Sequence, residues 1–231
     1  MAERLPPEII ARIRNNPKLF LTELKNALAS GTGNFLLTLI DKKRPLPDRE
    51  TKPELTPLAS NRGYVIDNHN YELRLSPDAE AALHSMAEEL QKNGMRLYVR
   101  SAYRDYAAQN LLYQNAVKTY GQAAADRESA RSGASQHHTG NACDFSLPGQ
   151  KSYDDFTSSQ QYRWLSEHAW EYGWSNSYPA GCEEITGYRP ESWHWRYLGK
   201  PAAKLERDWF TSGGQSIQQL MLEFMCRWQN P

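Results

Sequence analysis

Histidine and carboxylate side chains in two separate segments offer the chemistry of a metal centre. His137 and Asp144 lie close together in the chain, and His194 follows 50 positions after Asp144. A catalytic zinc ion is commonly held by three nitrogen or oxygen ligands, with a fourth position left for water or substrate. Two imidazoles and one carboxylate match that ligand set. The sequence therefore indicates His137, Asp144 and His194 as candidate ligands for one zinc ion per chain.

Glu191 is a candidate for proton transfer at such a centre. It stands three residues before His194, so one turn or bend of the chain would bring its carboxylate beside a bound water. A carboxylate in that position acts as a general base and passes the proton to the leaving amine. The sequence therefore predicts Glu191 as the catalytic base.

The spacing of these residues leaves a second interpretation open. A single histidine or aspartate is more often a surface residue or a hydrogen-bonded polar residue than a metal ligand. The His-Glu-x-x-His pattern of many zinc peptidases is also absent from the chain. On spacing alone, a zinc site and a set of ordinary polar residues both fit.

The composition is that of a globular protein without a charge preference. The 231 residues include 27 Lys and Arg against 27 Asp and Glu, and 39% of them are hydrophobic. A zero net charge argues against a nucleic-acid partner, because nucleic-acid binding needs a basic surface. No apolar run approaches the length of about 18 residues that a membrane span needs, so no transmembrane segment is expected. No secretory leader is recognised in the opening residues.

Hydrophobic periodicity predicts the elements that would position these candidate residues. Helical spacing indicates helices before residue 42, and a Pro-rich charged passage over 42–57 suits a linker or a strap over the surface. Further patterns predict helices over 106–120 and 159–172 and from Ser76 onward, and strands over 95–99, 141–146 and 193–197. Because strands and helices mix without a regular βαβ rhythm, we predict an α+β fold.

Three ordered motifs resemble those of one peptidase family. Ser135-x-His137-x-x-Gly140-x-Ala142-x-Asp144 and Glu191-x-Trp193-His194 are similar to the paired motif of the LAS metallopeptidases, the lysostaphin, D-alanyl-D-alanine carboxypeptidase and hedgehog-fold proteins. The segment from Arg100 through Arg104 to Gln109 is similar to a third motif, found in the VanY-type carboxypeptidase branch. The resemblance spans residues 73–199. Gln136 and His138 depart from it, since relatives often carry Glu and Gln at these positions.

The resemblance implies a role for each matching residue. It implies zinc ligands at His137, Asp144 and His194, a catalytic base at Glu191, and substrate contacts at Arg104, Gln109 and Ser135. Arg104 would hold the substrate carboxylate or the polarised carbonyl, because a guanidinium makes bidentate, charge-assisted bonds to oxygens. The neighbours His138 and Cys143 are expected to point away from the metal, and Trp193 and Trp195 to lie in the core.

The resemblance also implies an architecture. A small central antiparallel sheet would carry the zinc site, with helices flanking it. We place this zinc peptidase domain over residues 46–231, after an N-terminal helical extension over residues 1–45. The extension matches no motif.

The activity implied by the resemblance is that of a zinc-dependent D-alanyl-D-alanine carboxypeptidase acting on peptidoglycan stem peptides. An LD-carboxypeptidase and an L-alanyl-D-glutamate endopeptidase are alternatives on the same scaffold, because the ligands do not distinguish them. A non-catalytic wall-binding module is a further alternative, although it would have no need for Glu191. Because the substrate lies outside the inner membrane, the expected location is the periplasm or cell envelope. The sequence gives no indication of the oligomeric state.

Overall fold

The computed structural model describes residues 5–31, 33, 35–46, 53–68, 71–150 and 152–229. Part of the predicted linker, residues 47–52, lies outside the described residues. Among the helices that are described, none is long and apolar enough to cross a membrane.

A five-stranded sheet forms the centre of the fold. The described strands are β1 (Thr56–Pro57), β2 (Tyr64–Ile66), β3 (Arg74–Leu75), β4 (Leu97–Ser101), β5 (Ala142–Ser146), β6 (Trp174–Tyr178), β7 (Glu191–Tyr197), β8 (Thr211–Ser212) and β9 (Gln215–Ser216). The central sheet has the order β2-β4-β5-β7-β6, and its pairings are antiparallel except for the parallel β2–β4 pair at one edge. The predicted α+β class with a small central sheet is confirmed, and the parallel edge strand is an addition to it.

Helices flank this sheet. The described α-helices are α1 (Pro7–Asn15), α2 (Pro17–Ser30), α3 (Pro77–Lys92), α4 (Tyr106–Tyr120), α5 (Gln122–Glu128), α6 (Gln160–His168), α7 (Glu183–Thr186), α8 (Lys200–Trp209) and α9 (Gln218–Gln229). The 3-10 helices within the described residues cover Gln136–Thr139, Tyr153–Ser158 and Ala169–Tyr172. Ser76 caps α3, since its side chain accepts a hydrogen bond from the Ala79 N–H.

Two hydrophobic clusters support the sheet. The first joins the buried face of α3, including Leu83 and Met86, to strand residues such as Val99 and Phe145. Trp193 and Trp195 also lie in this cluster, as predicted.

The second cluster joins the N-terminal helices to the C-terminal ones. Phe20 of α2 packs edge-on against Trp209 of α8 and Phe224 of α9, with ring centroids 5.2 and 5.6 Å apart. Ile9 and Leu24 are fully buried in the same cluster. The extension before residue 46 therefore shares a core with α8 and α9, and its status as a separate unit stays a prediction.

Residues 35–38 lie against β7 of the central sheet. Arg196 of β7 is fully buried, and its Nη2 donates to the carbonyls of Phe35, Leu36 and Thr38 at 3.1, 3.1 and 2.8 Å. Burial lowers the pKa of this guanidinium to about 10. The three carbonyls thus offset part of the cost of a buried cation.

A buried carboxyl on α8 makes the folded state sensitive to pH. Glu206 is 1% exposed, and neither of its carboxyl oxygens has a hydrogen-bond partner among the described residues. Burial raises the pKa of Glu206 to about 8, and the nearby Ser175 hydroxyl opposes the rise. Because this pKa is higher in the folded chain than in an unfolded one, the folded state retains the proton longer. The stability that the neutral acid contributes is present in acid and is lost as the pH rises through about 8.

We expect Glu206→Gln to have a higher melting temperature than the parent protein at pH 9, with the difference shrinking toward pH 5. Glutamine has the shape of the neutral acid and cannot ionise. Thermal unfolding at constant ionic strength between pH 5 and 9 measures the effect. The exposed Glu184→Gln is the control and should show no such trend. A difference in melting temperature that stays constant with pH would contradict the assigned titration.

Candidate active site

A cleft of about 260 Å³ opens over the central strands of the sheet. It is lined by residues of β5 and β7, by the segments that lead into α4 and β7, and by the end of α5 with the residues that follow it. All seven residues singled out from the sequence as ligands, base or substrate contacts line this one cleft: His137, Asp144, His194, Glu191, Arg104, Gln109 and Ser135.

Three of them form a compact cluster. Asp144 on β5 is directly opposite His194 on the neighbouring antiparallel strand β7. His137, from the 3-10 helix that precedes β5, completes the group. One candidate ligand atom from each residue lies within 4.8 Å of the other two, and all three residues are buried. The cluster can hold a metal ion.

A capped 3-10 helix and a glycine turn position His137 just before β5. Ser135 caps the 3-10 helix, because its hydroxyl accepts from the His137 N–H at 3.3 Å. Gly140 ends the helix in a left-handed conformation with φ of 70°. This left-handed φ favours glycine in the turn between His137 and Asp144, and a Cβ here would also lie 2.6 Å from a methyl group of Leu55.

Hydrogen bonds direct the imidazole lone pairs into the cluster. His137 Nδ1 lies 2.6 Å from the Ala102 carbonyl oxygen, which can only accept, so this nitrogen carries the hydrogen. Its Nε2 then carries a lone pair and lies 3.3 Å from an oxygen of Asp144. His194 Nδ1 lies 3.1 Å from the other Asp144 oxygen. Electron pairs converging in this way favour a bound cation.

The charge states of these groups suit metal binding. Burial lowers the pKa of His137 to about 4, and the positive charge of Arg104 adds to this effect, so the ring is neutral near pH 7. Arg104 Nη2 lies 3.7 Å from Asp144, and a guanidinium at this distance favours the ionised form of the carboxyl group. Neutral imidazoles and an ionised carboxylate are the forms that ligate metals.

The neighbours of the ligands point elsewhere. The ring of His138 stacks on Tyr106 with centroids 4.2 Å apart, and its Nδ1 donates to the Arg104 carbonyl at 2.6 Å. Cys143 is buried in the hydrophobic cluster that also contains α3. Among the described residues, no disulfide joins any two of Cys143, Cys182 and Cys226.

Glu191 lies at the edge of the ligand cluster. It is the first residue of β7, and its Oε2 is 3.8 Å from His194 Nδ1. Burial raises the pKa of Glu191 well above its usual range, and the negative charge of Asp144 adds to the rise. A carboxyl so placed can exchange a proton with a reacting group next to the cluster.

Arg104 reaches the cluster from the segment that precedes α4. Its Nη2 is 3.7 Å from Asp144 and donates to the Ser101 hydroxyl at 2.8 Å. Its Nη1 donates to Gln109 Oε1 at 2.7 Å. Gln109 is 1% exposed and is held by the Ala130 carbonyl at 2.6 Å. Gln109 therefore orients Arg104, and direct substrate contact by Gln109 or Ser135 stays a prediction.

The cleft also contains residues that sequence reasoning did not assign. Tyr178 of β6 lies beside the His194 ring, with centroids 4.9 Å apart, and Tyr188 packs against Tyr178. Arg189 forms ion pairs with Glu128 and Asp154 across the mouth of the cleft. No local sequence signal marks Tyr178 or Arg189 as a residue of the cleft.

Similarity to known proteins agrees with this arrangement. The family model for VanY, D-alanyl-D-alanine carboxypeptidase, matches residues 72–200. A D-alanyl-D-alanine carboxypeptidase of Enterococcus faecalis (strain ATCC 700802 / V583) is 32% identical over 176 residues, covering 72% of this chain and 60% of that protein. The chain spans 54% to 63% of the length of three curated relatives that it matches.

Two solved structures share the fold. The LD-carboxypeptidase LdcB is 29% identical with a TM-score of 0.71, over 82% of this chain and 86% of that one. A variant of the vancomycin-resistance D,D-pentapeptidase VanY in complex with Zn(II) is 26% identical with a TM-score of 0.60, over 75% of this chain and 98% of that one. Since the family match covers more than half of the residues and includes the whole ligand cluster, this chain belongs to the VanY D-alanyl-D-alanine carboxypeptidase family.

Proposed function

We propose that this chain is a zinc-dependent carboxypeptidase that removes the C-terminal residue of peptidoglycan stem peptides, with the D-alanyl-D-alanine bond as its substrate. His137, Asp144 and His194 would hold one zinc ion, and Glu191 would be the catalytic base. The observation that carries the proposal is the convergence of these four side chains in one cleft that Arg104 also lines. Zinc in the related VanY structure supports the choice of metal.

The donor set fits a catalytic rather than a structural zinc. Three protein ligands leave one coordination position open, whereas structural zinc sites usually have four protein ligands that fill the coordination shell. When bound, zinc would supply Lewis acidity toward the scissile carbonyl and toward the attacking water.

The side chains of the chain would divide the remaining work. Burial and the charge of Asp144 raise the pKa of Glu191, and a cation beside this carboxyl group would favour its ionised form. In that form it would take a proton from water and return it to the leaving amine. Arg104, held by Gln109 and Ser101, would bind the terminal carboxylate and fix the peptide in line for attack.

An LD-carboxypeptidase is the second candidate activity. The likeness to LdcB, with a TM-score of 0.71 over 82% of this chain, favours it. Both activities need the same ligands, base and carboxylate anchor. They differ in the residues on either side of the scissile bond, which would face the cleft walls formed by Tyr178, Tyr188 and Arg189.

Digestion of defined stem peptides tests the proposal. Zinc-loaded protein is incubated with pentapeptide and tetrapeptide stems, and the products are identified by mass. Loss of one alanine from the pentapeptide supports the DD activity, and loss of one alanine from the tetrapeptide alone supports the LD activity. Cleavage within the stem would instead indicate an endopeptidase, and intact peptides would reject catalysis on this substrate class.

Arg104→Ala should lower kcat/KM on substrates with a free terminal carboxylate by about 10- to 100-fold, the range expected for a lost charge-assisted hydrogen bond. Amidated peptides, which lack the carboxylate charge, should be affected less. Steady-state kinetics on a matched pair of peptides gives the comparison. Equal losses on both peptides would contradict the role of Arg104 as a carboxylate anchor.

The proposed substrate also determines where the chain would act. Relatives named as D-alanyl-D-alanine carboxypeptidases act on peptides that end in D-alanine. Stem peptides of assembled peptidoglycan lie outside the inner membrane, so we infer an extracytoplasmic site of action in the periplasm or cell envelope.

A further inference from the structure

A chain of buried side-chain hydrogen bonds connects His194 to the start of α9. His194 Nε2 lies 3.1 Å from Gln136 Oε1, and the Ser177 hydroxyl donates to the same oxygen at 2.7 Å. Gln136 Nε2 donates to Gln218 Oε1 at 3.4 Å, and Gln218 Nε2 donates to Ser175 Oγ at 3.1 Å. Gln136, Ser177 and Gln218 are each at most 3% exposed. Water therefore competes little with these bonds.

These contacts fix which way the Gln136 amide points. Its oxygen receives the Ser177 hydroxyl, and its NH₂ group faces the oxygen of Gln218. A rotated amide would lose the bond to Gln218 and place two acceptor oxygens against each other about 3.4 Å apart. Gln136 Oε1 is therefore an acceptor toward His194.

An acceptor at this place selects one form of the His194 ring. The hydrogen of the neutral imidazole lies on Nε2, where Gln136 accepts it. Nδ1 is left with its lone pair, and this is the nitrogen that faces Asp144 at 3.1 Å and Glu191 at 3.8 Å. His137 has the equivalent arrangement, with the Ala102 carbonyl as acceptor.

Building on the proposed function, in which His194 is a zinc ligand, we propose that Gln136 is a positioning residue of the metal centre. Gln136 holds the His194 ring in the orientation and tautomer that direct Nδ1 at the ion. Ser177 of β6 and Gln218 of α9 hold Gln136 in turn. The first residue of the last helix thereby acts on a ligand that it does not touch.

Zinc affinity measures this role directly. Gln136→Met has a similar volume and no acceptor, and it should weaken zinc binding by about 10- to 100-fold, the usual effect of losing a hydrogen bond to a ligating histidine. Gln136→Glu keeps an acceptor oxygen and should bind zinc at least as tightly as the parent. Competition with a chromophoric chelator gives both affinities. If Gln136→Met binds zinc as tightly as the parent, the proposal is wrong.

A buried glutamine outside the site provides the matched control. Gln219 is 7% exposed and bonds to Asp41 instead of the ligand network. Gln219→Met should lower the melting temperature without changing zinc affinity, which separates a loss of packing from a loss of positioning. If Gln136→Met does not fold, Gln136→Asn serves the same test, because its shorter side chain withdraws the acceptor from His194.

A spectroscopic readout tests the tautomer. In the zinc-loaded parent, the Nε2–H of His194 should give a slowly exchanging NMR signal, and Gln136→Met should lose it through fast exchange with water. An unchanged signal in that variant would overturn the proposal.

His194→Ala distinguishes a failure of the ligand assignment of His194 from a failure of the positioning role of Gln136. If His194→Ala still binds zinc like the parent, the ligand assignment itself fails. If His194→Ala loses zinc while Gln136→Met retains full affinity, only the positioning role of Gln136 fails.

Discussion

Glu191→Gln is expected to reduce kcat by at least about 100-fold while zinc stays bound at parent stoichiometry. Removing a positioned general base typically costs about 10²- to 10⁴-fold, and the amide keeps the shape of the side chain without its basic oxygen. Glu191 is at the edge of the ligand cluster, 3.8 Å from His194, so its replacement leaves all three candidate ligands in place. Rate measurements on stem peptides, together with metal analysis of the same preparation, check the prediction.

The control for this variant is a second carboxylate of the same cleft. Glu128 lines the mouth and pairs with Arg189, and Glu128→Gln changes the cleft charge by the same amount. Its kcat should fall far less than that of Glu191→Gln. Near-normal turnover by Glu191→Gln would reject its role as the base, and equal losses in both variants would point to a general charge effect.

His137→Gln should abolish stoichiometric zinc binding, and activity with it. Its neighbour His138→Gln should keep one zinc per chain. The two histidines are adjacent and both buried, but only the His137 ring joins the Asp144 and His194 cluster, while His138 stacks on Tyr106. The loss of zinc affinity in His137→Gln should exceed the roughly 10- to 100-fold loss that follows from removing a hydrogen-bond partner of a metal ligand.

Metal analysis and chelator competition on both histidine variants give the measurement. Because His138 bonds to the Arg104 carbonyl, His138→Gln is expected to weaken substrate binding moderately without affecting the metal. Loss of zinc from His138→Gln but not from His137→Gln would reverse the assignment of the ligand.

The sequence predicted those helices and strands that are marked by hydrophobic periodicity or by capping residues. The helix predicted over 106–120 matches α4, and the strand predicted over 141–146 differs from β5 by one residue. Ser76, Pro77 and the apolar face that follows defined α3 because caps and helical periodicity depend on neighbouring residues only.

Elements whose stability comes from distant partners were not predicted. β6 reads Trp-Ser-Asn-Ser-Tyr, with three polar residues in its centre, and it is a strand because it pairs with β7 and packs against α8 and α9. The parallel β2–β4 pair likewise brings together residues more than 30 positions apart, such as Tyr64 and Leu97.

In the candidate site, too, local features could be predicted from the sequence and long-range contacts could not. The motif residues could be named from the chain because their types and order are specific. The burial of Gln109, the place of Tyr178 and the bond between Gln136 and His194 depend on contacts between residues about 16 to 58 positions apart. No pattern within one segment contains that information.

The direct pairing of Asp144 with His194 has a consequence for how new specificities can arise in this scaffold. The backbone ladder between β5 and β7 fixes the distance between these two side chains. The connections over residues 147–173 and 179–190 can therefore lengthen, shorten or change composition without altering that distance. Exchanging the second of these connections, which carries Tyr188 and Arg189, should transfer peptide preference between relatives while the metal-binding geometry is inherited intact.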